Sequence, residues 1–427
     1  MSHPTPVPAA EREALLRDVA SKIPARPSAR KRMIWIACMI IGAASFAYLL
    51  ATEPHRAWGS YTINALYWLG IAQGGIVLAS AIRLSNGRWG GPVTRIAESL
   101  SAYLPYAWGF MLLLLVFGIG TYLPWTHGVN PRQAPFLNVP FLWARTAVGL
   151  LLLGWLSRDL VRLSLRTDAY LLKGHVVPEL KAEYEKLSAN WKGDEAEEAH
   201  QRKMLSIRAP QICLLYAYVF SMLAIDFILA LTPNWVSNLF GWWFFMGCFL
   251  TGIAMTSLLV AQLRGRYKLE RYLTPHHMWD IGKIMFAVCI FWAYQFWAQY
   301  LPIWYANLPE ETGWVFLRFE EPWRPVAFTV FSLVFVIPFL GLLNKTTKTT
   351  PFWLSLFAIM VMAGMWLERH VLVMPSLNPE AVWIGAPEVG VTLGFLGVFG
   401  WAVQGFLSKY PVVKVADVLE GHGGHGH

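Results

Sequence analysis

The sequence predicts an all-α polytopic membrane protein of about ten transmembrane helices. Spans 2–5 and 6–9 form two four-helix bundles, and spans 1 and 10 flank them. Three observations predict it. The 427 residues are 56% hydrophobic and only 14% charged, far below the roughly 25% charge of a soluble domain. Apolar runs recur at about the 20-residue length that crosses a hydrocarbon core. Most of the 35 Lys and Arg residues fall in the tails and alternate connections, the positive-inside distribution. The net charge of +9 is therefore a matter of membrane orientation and gives no nucleic-acid signal.

Taken in order, a basic tail (1–32) comes first and is expected to be cytoplasmic. It has no cleavable apolar region, so no removable signal peptide is expected. The spans follow as Met33–Ala51, Tyr61–Leu84, Ser99–Leu123, Val139–Leu165 and Ile207–Leu231. Trp235–Leu263, Met278–Leu301, Pro325–Leu343, Pro351–Val373 and Glu388–Leu407 complete the set. The first bundle takes 61–231, the second 232–373, and the last span lies in 374–408. The connection from Arg166 to Arg208 carries mixed charges at helical spacing, which predicts surface helices beside the membrane over 166–206. Outer loops such as TYLPWTHGVNPRQAPFLNVPFLW have the Trp and Tyr of an interfacial belt. The tail 409–427 ends in GHGGHGH, whose three histidines on glycines make no fixed metal site. With an even number of spans both ends lie on one side, and the charge bias makes that side the cytoplasm.

A weak repeat underlies the two bundles. Gly70 and Gly75 of span two correspond to Gly247 and Gly252 of span six. Asp226 precedes Pro233 by the same interval that separates Glu368 from Pro375. Small-residue spacings such as Gly70-xxx-Gly74 and Gly390-xxx-Gly394 allow close helix contact.

Chemistry is sought first in the stretch His276–Arg324, where one span has ionisable groups at its start and aromatic residues and an acidic loop at its end. Ionisable residues inside a span are costly and default to functional hypotheses. Asp226, Asp280, Lys283, Glu368 and Arg145 qualify, with His277, Tyr294 and His370 nearby. His277, Asp280 and Lys283 follow one another at three-residue steps, which puts each pair on adjacent turns. Glu368, Arg369 and His370 are expected to adjoin the interface at the outer end of span nine. These groups are candidates for a proton path, against the plainer alternative of interfacial ion pairs and helix caps. Cys38, Cys213, Cys248 and Cys289 stand singly in apolar runs and read as small buried residues. No histidine pair is expected at membrane depth to ligate a b-type haem, and no phosphate loop or nucleophile constellation stands out. The chain is expected to bind no redox cofactor of its own and to do no bond chemistry alone.

Four segments, Asn64–Glu98, Asp226–Gly247, His277–Thr312 and Trp366–Leu377, carry a resemblance. The third is the most specific, with DxGK followed by QYLxIWYxNxPEE. In them the chain resembles the NrfD/polysulfide-reductase family of membrane subunits, and within it the ActF type of subunit of bacterial alternative complex III. That resemblance implies a ten-helix fold in a respiratory or photosynthetic quinol:electron-acceptor oxidoreductase of the bacterial inner membrane. It implies as partners an ActC-like quinol-binding homologue, an iron–sulfur subunit, c-type cytochrome subunits and small membrane subunits. Quinol, iron–sulfur clusters and c-type haems are then expected in those partners. It also implies that Asp226, Asp280, Lys283, Glu368 and His370 serve proton passage. Two alternatives stay open. A second quinone site would be marked by an apolar cleft near Asp226 or Glu368, and a pure scaffold by dry packing around Asp280 and Lys283.

Overall fold

The computed structural model describes residues 9–23, 29–85, 87 and 90–419; the GHGGHGH tail lies outside the described residues. Those residues form an all-α protein in which ten helices are long and apolar enough to cross a membrane. The ten are α2 (Ala29–Thr52), α3 (Pro54–Leu84), α4 (Gly91–Tyr122), α5 (Val139–Leu172), α7 (Asp194–Leu231), α8 (Phe240–Arg266), α9 (Pro275–Ala306), α11 (Arg324–Gly341), α13 (Pro351–Leu377) and α14 (Ala386–Leu407). Shorter helices join them: α1 (Ala9–Ser21), α6 (Pro178–Leu187), α10 (Pro309–Phe319), α12 (Lys345–Thr349) and α15 (Val415–Leu419). The protein is a multi-pass membrane protein.

Local sequence sets the boundaries. Proline opens α3, α9 and α13 in the first turn, where its missing N–H costs nothing. Asn138 caps α5 by accepting from the Phe141 N–H at 2.9 Å. Asn307 ends α9 in the left-handed conformation, φ 49°. Two spans are irregular within the membrane. α4 passes through a 3₁₀ turn (Leu100–Tyr103) and a π turn (Leu114–Gly118), and α11 contains a π turn at Ser332–Val336. The π turn of α11 ends two residues before Pro338, whose ring cannot complete the ordinary ladder.

The connection between α5 and α7 is more helical than its charge pattern suggests. Only α6 is a separate surface helix, and α7 runs unbroken from Asp194 through the charged segment into the membrane part. The acidic segment after α9 is likewise a helix, α10, rather than a loop.

Helix contacts fall into two matching quartets. α3 packs on α4 and α7, and α7 on α5; α8 packs on α9 and α13, and α13 on α11. Across the centre α3 meets α8, while α7 meets α8 and α13 meets α3. The main contacts of one quartet have counterparts in the other, as a repeat relation between them would give. α3 is the central post: its most apolar window is 94% buried, against 11% for the peripheral α2. The two central helices approach through glycine, since a Cβ on Gly252 would lie 2.4 Å from the Gly74 carbonyl carbon. α2 and α14 close on each other the same way at Gly42 and Gly394.

One face of the molecule carries α1, α6 and the last described residues. There Lys22 donates to the Lys268 carbonyl at 2.8 Å, and the Tyr272 hydroxyl donates to Asp18 at 2.6 Å. Burial alone would push the Asp18 carboxyl up, but Tyr272 and Lys22 together hold it below the ordinary carboxylate value. Beneath this face a buried charge network ties α3, α4 and α5 together. Arg95 donates to Glu98 at 2.6 Å and to Asp168 at 2.5 Å, Arg83 pairs with Glu98, and the Val415 N–H donates to Asp168.

Candidate functional site

A large opening lies in the second quartet. It is a cleft of about 770 Å³ between α9, α10, α11 and α13, floored by α8. Helical spacing builds its walls. On α9, Trp292, Phe296 and Tyr300 recur every fourth residue and so share one face. Ala327, Phe331 and Phe335 do the same on α11, and the π turn carries Phe335 to the cleft wall. Tyr294, Trp297 and Phe328 stand at the mouth on the outer lateral surface, 62%, 52% and 56% exposed. The cleft is open on that side.

Its polar groups converge from four helices. Glu368 on α13 is 2% exposed. Its Oε2 accepts from Arg369 Nη1 at 2.6 Å, and Oε1 has no hydrogen-bond partner. Arg369 is held in turn by Cys248 Sγ at 3.3 Å and lies 4.0 Å from the centre of the Phe244 ring. The carboxyl is thus anchored by Arg369, with the Trp292 indole beside it.

Arg318 on α10 is the second group. Its guanidinium stacks 3.6 Å from the Trp314 ring and donates to the carbonyls of Trp314 and Leu372 and to Ser376 Oγ. Among the described residues it makes no salt bridge, and its Nε is buried without an acceptor. Burial without a counter-charge pushes this guanidinium well below its ordinary value. Trp243, Trp292 and Trp314 also line the cleft, and the Trp292 indole interacts with the Glu368 carboxyl. Buried polar groups normally find partners. Here Arg318 Nε and the Trp243 and Trp314 indole N–H groups are buried without one, on residues that line the cleft. The arrangement suits a flat, lipophilic molecule.

Of the residues singled out by sequence, Glu368 and Tyr294 meet at this cleft. The others lie apart from it in local contacts. Arg145 and Asp226 form a closed pair in the first quartet, at 2.6 Å from Nη2 and 2.9 Å from Nε, with the Phe136 ring 4.0 Å from the guanidinium. Asp280 and Lys283 pair at 2.7 Å near the start of α9, where Lys283 also covers the Trp279 ring. His277 completes the α9 cap, its Nδ1 accepting from the Thr274 N–H at 3.1 Å. His370 bonds to the Trp366 carbonyl through Nδ1 and leaves Nε2 unpartnered.

Two expectations change. Glu368, Arg369 and His370 are interior residues, at 2%, 1% and 0% exposure, rather than neighbours of the interface. The physical reason is that α13 runs past them to Leu377 despite Pro375. Arg318 and the indoles were absent from the sequence-derived set. Arg318 follows Trp314 by four residues on an amphipathic segment, a signal hidden by treating that segment as a loop. Among the described residues no three His, Cys, Asp or Glu side chains come together as a metal site.

No family model matches the chain, and no curated protein matches it.

Proposed function

We propose that this chain is an integral membrane subunit of a quinol:electron-acceptor oxidoreductase of the alternative complex III type, and that its second quartet binds quinol or quinone. The observation that carries the reading is the aromatic cleft, open at the lateral surface and lined by Glu368, Arg318 and the indoles of Trp243, Trp292 and Trp314. A cleft of about 770 Å³ falls within the range of small-molecule sites. Its rings offer stacking surfaces for a quinone head, and its lateral mouth gives an isoprenoid tail a path into lipid. Iron–sulfur and c-type haem partners, together with an ActC-like homologue and small membrane subunits, would carry the electrons onward. In the bacterial inner membrane the face bearing α1 and α6 would lie in the cytoplasm, as its basic residues favour.

Proton passage and assembly are further parts of this reading. They are supported by the polar stripe Thr146, Ser157, Ser164 and Asp168, which α5 buries along its length in the first quartet.

The test is quinone content. Protein purified in native lipid should carry quinone, and a photoreactive quinone should label α9, α10 or α13. Ala327→Trp fills the cleft and should remove both signals while the protein remains folded. Labelling that survives in Ala327→Trp, or wild-type protein that neither retains nor is labelled by quinone, counts against the reading.

A further inference from the structure

The start of α9 and the short helix α12 gather lysines around one indole, that of Trp279. We propose that this cluster, separate from the aromatic cleft, holds the headgroup of an anionic phospholipid from the leaflet on the α1-bearing face, its phosphate bound by Lys283 and Lys345 beside Trp279.

Gly282 lets the two elements meet, since a Cβ there would lie 2.9 Å from Lys348 Cγ. The Lys283 ammonium lies 4.1 Å from the centre of the Trp279 ring, and the Lys345 ammonium 4.7 Å from it. A third cation, Lys348, is buried behind them; it donates to the Leu342 carbonyl at 2.6 Å and lies 5.5 Å from the Phe286 ring. Against these stands the Asp280 carboxylate, paired with Lys283 at 2.7 Å. Lys345 is exposed and makes no salt bridge among the described residues. The His276 ring, 6.3 Å from that of Trp279, adds no negative charge. Burial, and after it the Lys283 charge, push the Lys348 ammonium below its ordinary value. The cluster therefore carries an excess of positive charge that its own members feel.

An isolated lysine at a membrane boundary turns its ammonium to water. Here two share one indole with a third behind them, and like charges held this close repel unless an anion lies among them. Lysine's flexible stem lets both exposed ammonium groups turn to one phosphate. Basic pockets between membrane helices are where anionic headgroups dock. The neighbouring surface identifies the anion as a lipid's. Val336 and Leu340 share an exposed face of α11, and Leu343 follows at its end. Beside them Phe286 stacks on Phe339 at 5.7 Å, 15° from parallel. Acyl chains can lie along this apolar strip, whereas a free phosphate ion would leave it unused.

The experiment titrates the full chain in detergent micelles with dioleoyl phosphatidylglycerol or dioleoyl phosphatidylcholine and counts bound lipid by native mass spectrometry. The wild type should bind the phosphatidylglycerol about tenfold tighter or more. Lys345→Gln should weaken that binding about fivefold, the worth of one lysine beside an anionic lipid, and Lys345→Glu should weaken it further. Lys345→Arg should retain it. Lys192→Glu, the same change of charge on the exposed loop before α7, should leave it unchanged. Equal wild-type affinities for the two lipids would overturn the inference. So would a loss in Lys192→Glu as large as in Lys345→Glu, which would mean diffuse attraction without a site. Displacement of the bound lipid by inorganic phosphate alone would overturn it too, by making the cluster a site for a free anion.

Discussion

At the scale of single residues, the membrane interior separates two kinds of ionised group. Arg145 and Asp226 satisfy each other through two guanidinium nitrogens, and the Phe136 carbonyl takes a third hydrogen bond. Asp226 is 1% exposed and Arg145 nearly as buried. Removing one partner leaves the other charged and unpaired, which costs about 3–5 kcal/mol when the site is buried. Arg145→Met should therefore destabilise the protein by about that amount. Arg145→Met combined with Asp226→Leu should recover most of the loss, as replacement of a buried pair by apolar side chains often does. Denaturant titration of the two variants in lipid–detergent micelles checks this. A single variant as stable as wild type would mean that Asp226 is hydrated or protonated, the condition a proton carrier needs. Glu368 is the opposite case. It shares the burial of Asp226, but it lines the cleft beside the Trp292 indole.

At the scale of elements, close packing depends on a few glycines, and these are unequal. Gly252 and Gly74 sit backbone to backbone where α8 crosses α3, so a Cβ on Gly252 has only main chain to meet. Gly109 on α4 has no heavy atom within 4 Å of the place a Cβ would take. Gly252→Ala should destabilise by about 1–3 kcal/mol, as overpacking does. Gly109→Ala should be neutral, or stabilise by up to about 1 kcal/mol by restricting the unfolded chain. Equal effects at the two positions would show that the central contact is looser than described. This contrast also shows how much the sequence disclosed. Hydropathy and charge placement located the ten spans, because lipid demands long apolar helices and leaves little freedom in their length. The Gly70-xxx-Gly74 spacing pointed to close packing, but no one-dimensional pattern says which glycine faces a helix and which faces lipid. The cleft was legible only through Glu368. Its other polar groups are tryptophans, common in membrane belts, and an arginine on a short helix. Their convergence from α8, α9, α10 and α13 is a tertiary fact.

At the scale of the whole molecule, the two quartets share a contact pattern and differ in how they are closed. The first is locked near both ends. Arg83, Glu98, Arg95 and Asp168 form a buried network on the face carrying α1, and Arg145 with Asp226 closes the opposite end. In the second quartet the corresponding wall between α9 and α11 is parted by the cleft, and the π turn of α11 lies along it. A ligand that binds only the folded cleft stabilises the elements it touches by mass action, about 2.7 kcal/mol at a concentration a hundred times its dissociation constant. Local opening free energies then shift only where opening exposes the site. Hydrogen exchange of the full chain, measured with and without saturating short-tailed quinol, should show new protection in α9, α10, α11 and α13. Amides of α5 and α7 should exchange at unchanged rates, because they line a quartet without the cleft. Protection spread evenly over both quartets would indicate that the repeats respond as one body through the Gly74–Gly252 contact. Protection confined to α5 and α7 would move the ligand to the first quartet and leave the unmatched atoms of the second without a role.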